Sequence, residues 1–179
     1  NDYAALIIKK NPKEGCQLLL KAIDKGDAGA MYNYALVLSD GRYEKFGGPK
    51  KDEKSAMNYM KKAAENNHLA AMVNYAEWLF NGFAGLKNYV ESTKYYKKAA
   101  DISHDPILQF RCGIIHIEGI GLPQKDLKVA ANYIKMAADQ NLPNAAEAMG
   151  YLYQEGIGVK KSENDALNYF KKGAELGYA

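Results

Sequence analysis

The chain repeats itself every 36 to 38 residues, and this period restricts its fold more than any other feature of the sequence. Four segments share one pattern, in which a tyrosine is followed by lysine and small residues: 59–64, 95–100, 133–138 and 169–174. A second pattern runs in register with the first, with a small residue followed six positions later by glycine: Ala35 and Gly41, Ala76 and Gly82, Gly113 and Gly119, and Gly150 and Gly156. A period of this length is typical of repeat proteins, in which each repeat buries its apolar face only by stacking on the next.

Within each repeat the apolar residues recur with a helical period, which predicts two helices per repeat. We expect first helices near 28–40, 69–81, 106–118 and 143–155, and second helices near 52–66, 89–103, 126–140 and 163–176. Pro12, Pro106 and Pro143 stand where the first turn of a helix tolerates a missing N–H. Asn11 and Asp105 are the expected N-caps.

The predicted domain organisation is one continuous all-α solenoid. A degenerate copy of the second-helix pattern at 20–23 predicts a helix pair over 1–27, ahead of four repeats at about 28–68, 69–104, 105–141 and 142–179. The small residues of the first helices, such as Gly113 and Gly150, are expected to let the two helices of a pair approach closely.

The most complete repeat is the last one. It follows the pattern Ala-x3-Leu-Gly-x2-Tyr-x2-Gly-x-Gly-Val and then Ala-x2-Tyr-Tyr-x-Lys-Ala-Ala-x2-Gly, with matches at Ala145, Met149, Gly150, Tyr153, Gly156, Gly158, Val159, Ala166, Tyr169, Phe170, Lys172, Ala174 and Gly177. On these residues the chain resembles the Sel-1-like repeat family, a relative of the tetratricopeptide repeat, over about 28–177. The resemblance implies a right-handed α/α superhelix of helix-turn-helix repeats that serves as an adaptor for complex assembly.

The cysteines depart from the secreted members of that family, which carry a disulfide inside each repeat. This chain has two cysteines, Cys16 and Cys112, each among apolar residues of a predicted helix. We expect two reduced structural thiols, with a disulfide or metal role as the alternative. No Asn-x-Ser/Thr acceptor occurs either. Together these features favour a cytoplasmic location.

Charge and hydropathy exclude two classes of partner. The chain carries 24 Lys and Arg against 21 Asp and Glu, a net charge of +3 that is too small to indicate nucleic-acid binding. No apolar run is long enough to predict direct membrane insertion. The repeated lysine pairs, such as Lys61-Lys62 and Lys97-Lys98, are expected to form a solvated convex surface, with a rail for an acidic partner as the alternative.

No residue pattern supports catalysis, a cofactor or a metal. Gly119-x-Gly121 and Gly156-x-Gly158 follow predicted helices rather than strands, so we interpret them as loop glycines and not as a phosphate loop. His116 occupies a slot that holds Leu79 in another repeat, which predicts a packed imidazole. No His/Cys/Asp cluster has metal-ligand spacing, and no nucleophile motif is present. An enzyme, such as the hydrolase proposed for some family members, is therefore the least favoured interpretation.

The candidate binding site is a stripe along the first helices. By analogy with tetratricopeptide geometry, it should line a concave groove that holds Tyr32, Leu36, Val73, Glu77, Phe80, Phe110, Ile114, Ile117, Tyr151 and Gln154. An apolar groove predicts a docking site for an apolar or amphipathic protein segment. The alternative is that tight curvature buries the stripe against neighbouring helices.

A longer loop after the predicted helix 28–40 adds a second candidate surface. Ala56 comes 15 positions after Gly41, whereas Ala166 comes 10 positions after Gly156. The extra residues include Arg42, Tyr43 and Phe46, which are a possible accessory contact because insertions often mark the binding face of a repeat protein. The sequence thus predicts a non-catalytic protein-interaction scaffold. A structural part of a larger permanent assembly, with contacts through the convex face and the ends, is the alternative.

Overall fold

The computed structural model of the chain describes residues 7, 8 and 10–177. Nine α-helices lie wholly within these residues, which contain no strand: α1 Pro12–Ile23, α2 Ala28–Asp40, α3 Glu53–Glu65, α4 Leu69–Asn81, α5 Tyr89–Ser103, α6 Pro106–Glu118, α7 Leu127–Asp139, α8 Pro143–Glu155 and α9 Glu163–Glu175. Short 3₁₀ turns span Glu44–Phe46 and Phe83–Gly85. The predicted all-α solenoid class is confirmed, and each predicted helix agrees with an observed one to within about one residue at either end.

The helix ends show why the boundaries were readable from sequence. Asn11 caps α1 by accepting a hydrogen bond from the Glu14 amide, and Asp105 caps α6 by accepting from the amides of Ile107 and Leu108. Each of these side chains satisfies an amide that has no partner within its own helix. The first helices α2, α4, α6 and α8 all end at a glycine with positive φ, a conformation that glycine adopts without steric cost.

The chain divides into two compact halves, Asn1–Asn88 and Tyr89–Ala179. In the N-terminal half α1 packs on α2, α2 on α3, and α3 on α4. In the C-terminal half the same succession runs from α5 to α9. The continuity of one solenoid through both halves stays a prediction, and the first helix of the predicted 1–27 pair falls mostly on residues outside the described ones.

Close approach within helix pairs depends on glycine in the C-terminal half. A Cβ atom on Gly113 would collide with the Ile134 side chain of α7, and one on Gly150 would lie 2.6 Å from the Phe170 ring of α9. The predicted role of these two small residues is therefore confirmed. The core of this half is correspondingly dense, with Ile134 of α7 and Met149 of α8 both fully buried.

The Gly-x-Gly loops have a structural function in the same half. Gly119, Gly121, Gly156 and Gly158 all have positive φ. A side chain on Gly121 would strike the carbonyl of Tyr89, the first residue of α5, and Thr93 of α5 donates a hydrogen bond to the Ile120 carbonyl at 2.9 Å. These loops therefore rest on the first turn of the preceding second helix, as expected for loop glycines and not for a phosphate loop.

Candidate functional site

In the N-terminal half, the predicted stripe begins with Tyr32 and Leu36 on α2. Tyr32 is half-buried: its hydroxyl accepts a hydrogen bond from the Asn74 side chain at 3.0 Å, and its ring stacks on His68 with centroids 4.8 Å apart. His68 in turn caps α4, because its Nδ1 accepts from the Ala71 amide at 3.2 Å. Tyr32 therefore joins α2 to the start of α4, whereas Leu36 is 37% exposed.

The other predicted members in this half lie on α4. Val73, Glu77 and Phe80 are all half-buried. Together with Leu36 they leave partly accessible apolar surface on two first helices of the same half. Glu77 provides an acidic group within that surface.

In the C-terminal half, the stripe divides into covered and open members. Phe110 and Ile117 are half-buried and pack against the core cluster of α7 and α8, so neighbouring helices cover much of these two side chains. Ile114 is also half-buried, while Tyr151 is 53% exposed and Gln154 is exposed. The Tyr151 ring meets the Phe170 ring edge-on at 5.1 Å, which holds it in place on α8.

The predicted accessory loop is an ordered structure. The amides of Phe46 and Gly48 both donate to the Tyr43 carbonyl, at 3.0 and 2.9 Å, and the Asp52 amide donates to the Leu38 carbonyl at 2.9 Å. The Tyr43 side chain packs against the buried cluster of the N-terminal half. Phe46, three residues on, is 69% exposed. The loop is thus anchored at one aromatic residue and presents the other to solvent.

Two cavities meet at this loop. The first, of about 360 Å³, brings Leu36 and Val37 of α2 together with Asp40, Arg42 and Tyr43. The second, of about 590 Å³, is lined by Lys10, Asn11, Pro12, Arg42, Tyr43 and Phe46. Arg42 and Tyr43 line both cavities, and the Arg42 guanidinium pairs through Nε with the Asp40 carboxylate.

One cavity is lined by residues from both predicted surfaces, the groove and the accessory loop. Leu36 belongs to the predicted groove and Arg42 and Tyr43 to the accessory loop, yet the three line one cavity. Lys10 and Pro12 were not predicted as site residues at all. Their spacing in the sequence gives no indication of a site, because only the fold of the loop brings them into one cavity with Phe46.

The buried titratable groups of the C-terminal half are poor candidates for chemistry. Burial raises the pKa of Cys112 to about 12, with the Asp101 carboxylate adding to the effect, and so suppresses the nucleophilic thiolate. Burial lowers the pKa of His116, whose Nδ1 has no hydrogen-bond partner within the part of the chain that the structure describes. Tyr133 donates a hydrogen bond to Asp101 at 2.7 Å.

Both cysteines are free and buried, as predicted. Among residues 7, 8 and 10–177, no group of three His, Cys, Asp or Glu side chains is arranged to hold a metal ion. Within the same described residues, no helix has both the length and the apolar character of a membrane span.

Comparison with known proteins identifies the repeat. The family model described as Sel1 repeat matches five segments: 4–27, 28–68, 69–104, 106–142 and 143–178. The structure of a Sel1 repeat protein from Oxalobacter formigenes superposes with a TM-score of 0.78 at 27% identity, covering 98% of this chain and 71% of that one. The structure of c5321, a protective antigen of uropathogenic Escherichia coli with an SLR fold, gives a TM-score of 0.72 at 27% identity over 90% of this chain and 33% of that one.

The similarity extends to eukaryotic proteins. Human protein sel-1 homolog 2 is 29% identical over 125 residues, which is 70% of this chain and 18% of that protein. The chain spans 27% or less of the length of each of the five curated relatives compared with it.

Proposed function

This chain belongs to the Sel1 repeat family, whose repeats are protein-interaction modules, and from that premise we propose that it is a non-catalytic scaffold that binds a partner segment on its first helices. The observation that carries the proposal is the match of Sel1 repeats from residue 4 to residue 178. Stacked repeats of this kind form an extended surface along their helices, which is suited to binding another protein.

The accessible part of the stripe supports an apolar or amphipathic segment as the partner. Leu36 and Tyr151 occupy the same position in their repeats, and both are exposed on helices whose other apolar residues are mostly buried. An exposed, positioned tyrosine is the type of side chain that anchors protein interfaces. We propose one binding surface in each half, on α2 with α4 and on α6 with α8.

A non-catalytic role agrees with the chemistry of the buried groups. The Cys112 thiol is protonated at neutral pH because its pKa is about 12, and His116 lies packed beside Tyr133 with ring centroids 6.0 Å apart. The proposal includes a cytoplasmic location, which rests on the two unpaired cysteines.

The test is a selection of peptides from a displayed library on the immobilised chain, followed by measurement of their affinity for variants. Leu36→Asp and Tyr151→Asp place a charge on the proposed surfaces without opening the core. Asn58→Asp and Asn132→Asp are matched controls, because both asparagines are exposed on second helices. Circular dichroism checks that each variant folds.

We expect selected peptides to bind Leu36→Asp or Tyr151→Asp at least tenfold more weakly than the original chain, and to bind the controls unchanged. Phe110 is a poor choice of variant because it packs against the α7 and α8 core, so aspartate there would disturb the fold. Peptides that lose affinity only for the asparagine variants would place the working surface on the second helices and contradict the proposal.

A second candidate function is a structural part of a larger assembly, and the outer face of α9 favours it. On α7 the residues Ala131 and Ala138 are buried in the contact with α8. Their equivalents on α9, Leu167 and Ala174, are exposed, with Leu167 at 51%. This apolar face would suit a further helix. Loss of partner affinity in Leu167→Glu, with Leu36→Asp unaffected, would select this function.

A further inference from the structure

We propose that the two cavities beside the 41–52 loop bind an acidic peptide segment that carries apolar residues on both sides of its carboxylates. This inference rests on the proposed function, because it assigns a chemistry to the partner segment at the N-terminal half. The site consists of Leu36, Arg42, Tyr43, Phe46 and Lys10, which line the two adjoining cavities.

The charge of the second cavity favours an acidic ligand. Among the described residues, Lys10 and Arg42 are the charged side chains that line it, while the Glu14 carboxylate accepts a hydrogen bond from the lining residue Asn11 at 3.0 Å. The Asp40 carboxylate engages Arg42 through Nε and belongs to the lining of the other cavity. A guanidinium carries its four remaining N–H donors on the two terminal nitrogens, in a geometry that suits a second carboxylate. Lys10 is exposed and adds a second cation to the lining of this cavity.

The apolar walls favour a segment with a large apolar side chain at each end of its acidic part. Phe46 and Pro12 line the second cavity, and Leu36 and Val37 line the first. Tyr43 lines both cavities and packs against the core of the N-terminal half, which holds this shared wall in place. Covering an exposed phenylalanine on an anchored loop removes apolar surface from water and so favours binding.

Both cavities together are large enough for a short segment but not for a helix pair. Volumes of about 360 and 590 Å³ lie in the range that accommodates a few side chains each. The loop backbone is already tied by hydrogen bonds from the Phe46, Gly48 and Asp52 amides, so binding would require little ordering of the protein.

Three labelled peptides test the chemistry by fluorescence anisotropy with the full chain. The first is Gly-Ser-Leu-Glu-Asp-Phe-Ser-Gly. The second replaces Glu-Asp by Gln-Asn, and the third replaces Leu and Phe by Ser. We expect the first peptide to bind roughly tenfold more tightly than either of the others at low ionic strength, and to weaken as salt screens the cations.

The variants locate the binding site. Lys10→Glu and Phe46→Ser should each weaken the first peptide roughly fivefold or more. Lys45→Glu is the matched control, because Lys45 lies in the same 3₁₀ turn as Phe46 but lines neither cavity. This substitution should change the affinity by less than about twofold. Thermal melting shows whether each variant is folded.

Three results would overturn the inference. Equal binding of the acidic and neutral peptides would reject the acidic chemistry. An equal effect of Lys45→Glu and Lys10→Glu would reject the cavity in favour of general charge attraction. No binding of the first peptide at about 1 mM would reject the site for this class of ligand. None of these results rejects the scaffold function, which the library selection with Leu36→Asp and Tyr151→Asp decides separately.

Discussion

Gly158 lies against the carbonyl group of Leu127, so closely that a Cβ atom at position 158 would overlap the carbonyl oxygen. The loop that follows α8 therefore packs against the first residue of α7, and this contact leaves no room for a side chain at position 158. Gly158 also has a φ of +69°, in the region that favours glycine. Gly121 and Tyr89 repeat the same relationship one repeat earlier in the C-terminal half.

Because of this contact, substitution by alanine should reduce the free energy of unfolding more at Gly158 than at Gly26, although both glycines have a positive φ. Gly26 has a φ of +82°, but no atom lies within 4 Å of the place that a Cβ would take, so Gly26→Ala should cost about 1–2 kcal/mol through its backbone alone. Gly158→Ala adds the collision with Leu127 and should cost roughly 3–5 kcal/mol. Urea unfolding of both variants measures the difference, and equal costs would show that the loop has room to move.

Glycines inside the last helix pair should respond in opposite directions. Gly150→Leu would overpack the contact with Phe170 and destabilise the fold by roughly 1–3 kcal/mol. Gly173→Ala places its methyl group at ordinary contact distance, 3.5 Å from the nearest atom, and should stabilise α9 by about 0.5–1 kcal/mol. Thermal or urea unfolding tests the pair. Destabilisation by Gly173→Ala would contradict the described packing.

His116 should make the stability depend on pH. Burial lowers its pKa in the folded state, with a weaker opposing effect of Asp126, so the unfolded chain takes up the proton more readily. The folding free energy from the neutral imidazole is present above the unfolded pKa of about 6.5 and is lost as pH falls through the lower folded value.

His116→Leu should therefore flatten the loss of stability between about pH 7.5 and pH 5, since leucine does not titrate. Leucine suits this position, because the equivalent residue in another repeat is Leu79, which is buried. The measurement is the urea midpoint of both chains at the two pH values. His68 and His104 are present in both chains, so parallel curves would mean that His116 is not responsible.

The cysteines should be protected from alkylation in the folded chain. Burial raises the pKa of Cys112 to about 12, so little of the reactive thiolate is present at pH 8, and the residue is 2% exposed. Burial also raises the pKa of Cys16. Mass spectrometry after iodoacetamide treatment should show slow labelling of both, with Cys112 slower, and rapid labelling in denaturant. Fast labelling of Cys112 in the native chain would contradict its burial.

The helices were predictable because their signals are local. Asn11 and Asp105 cap helices through amides two or three residues away, and the glycines that end the first helices act within one turn. The repeat places the same signal in each copy, as in the glycines Gly41, Gly82, Gly119 and Gly156 that follow the four first helices. For the same reason the close contacts of Gly113 and Gly150 followed from the pattern of small residues.

The site was less predictable, because exposure depends on what packs above each residue. Leu36, Glu77, Ile114 and Tyr151 hold the same position in four repeats, yet Leu36 and Tyr151 are exposed while Glu77 and Ile114 are half-buried. The sequence assigned all four to one stripe. The alternative interpretation, burial against neighbouring helices, holds for Phe110 and Ile117, which pack against the core of α7 and α8, but the sequence did not indicate which members of the stripe it would affect.

The sequence by itself determined the helices, their pairing pattern and the family, because periodicity, caps and small residues act over one turn or one repeat. Only the tertiary structure decided which stripe residues reach solvent and that the 41–52 loop folds back to place Arg42 and Tyr43 beside Leu36. The physical reason is that a cavity is formed by side chains distant in sequence. Their positions follow from the packing of the whole half, in which Tyr43 is fixed by the buried cluster around Ile8 and Val37.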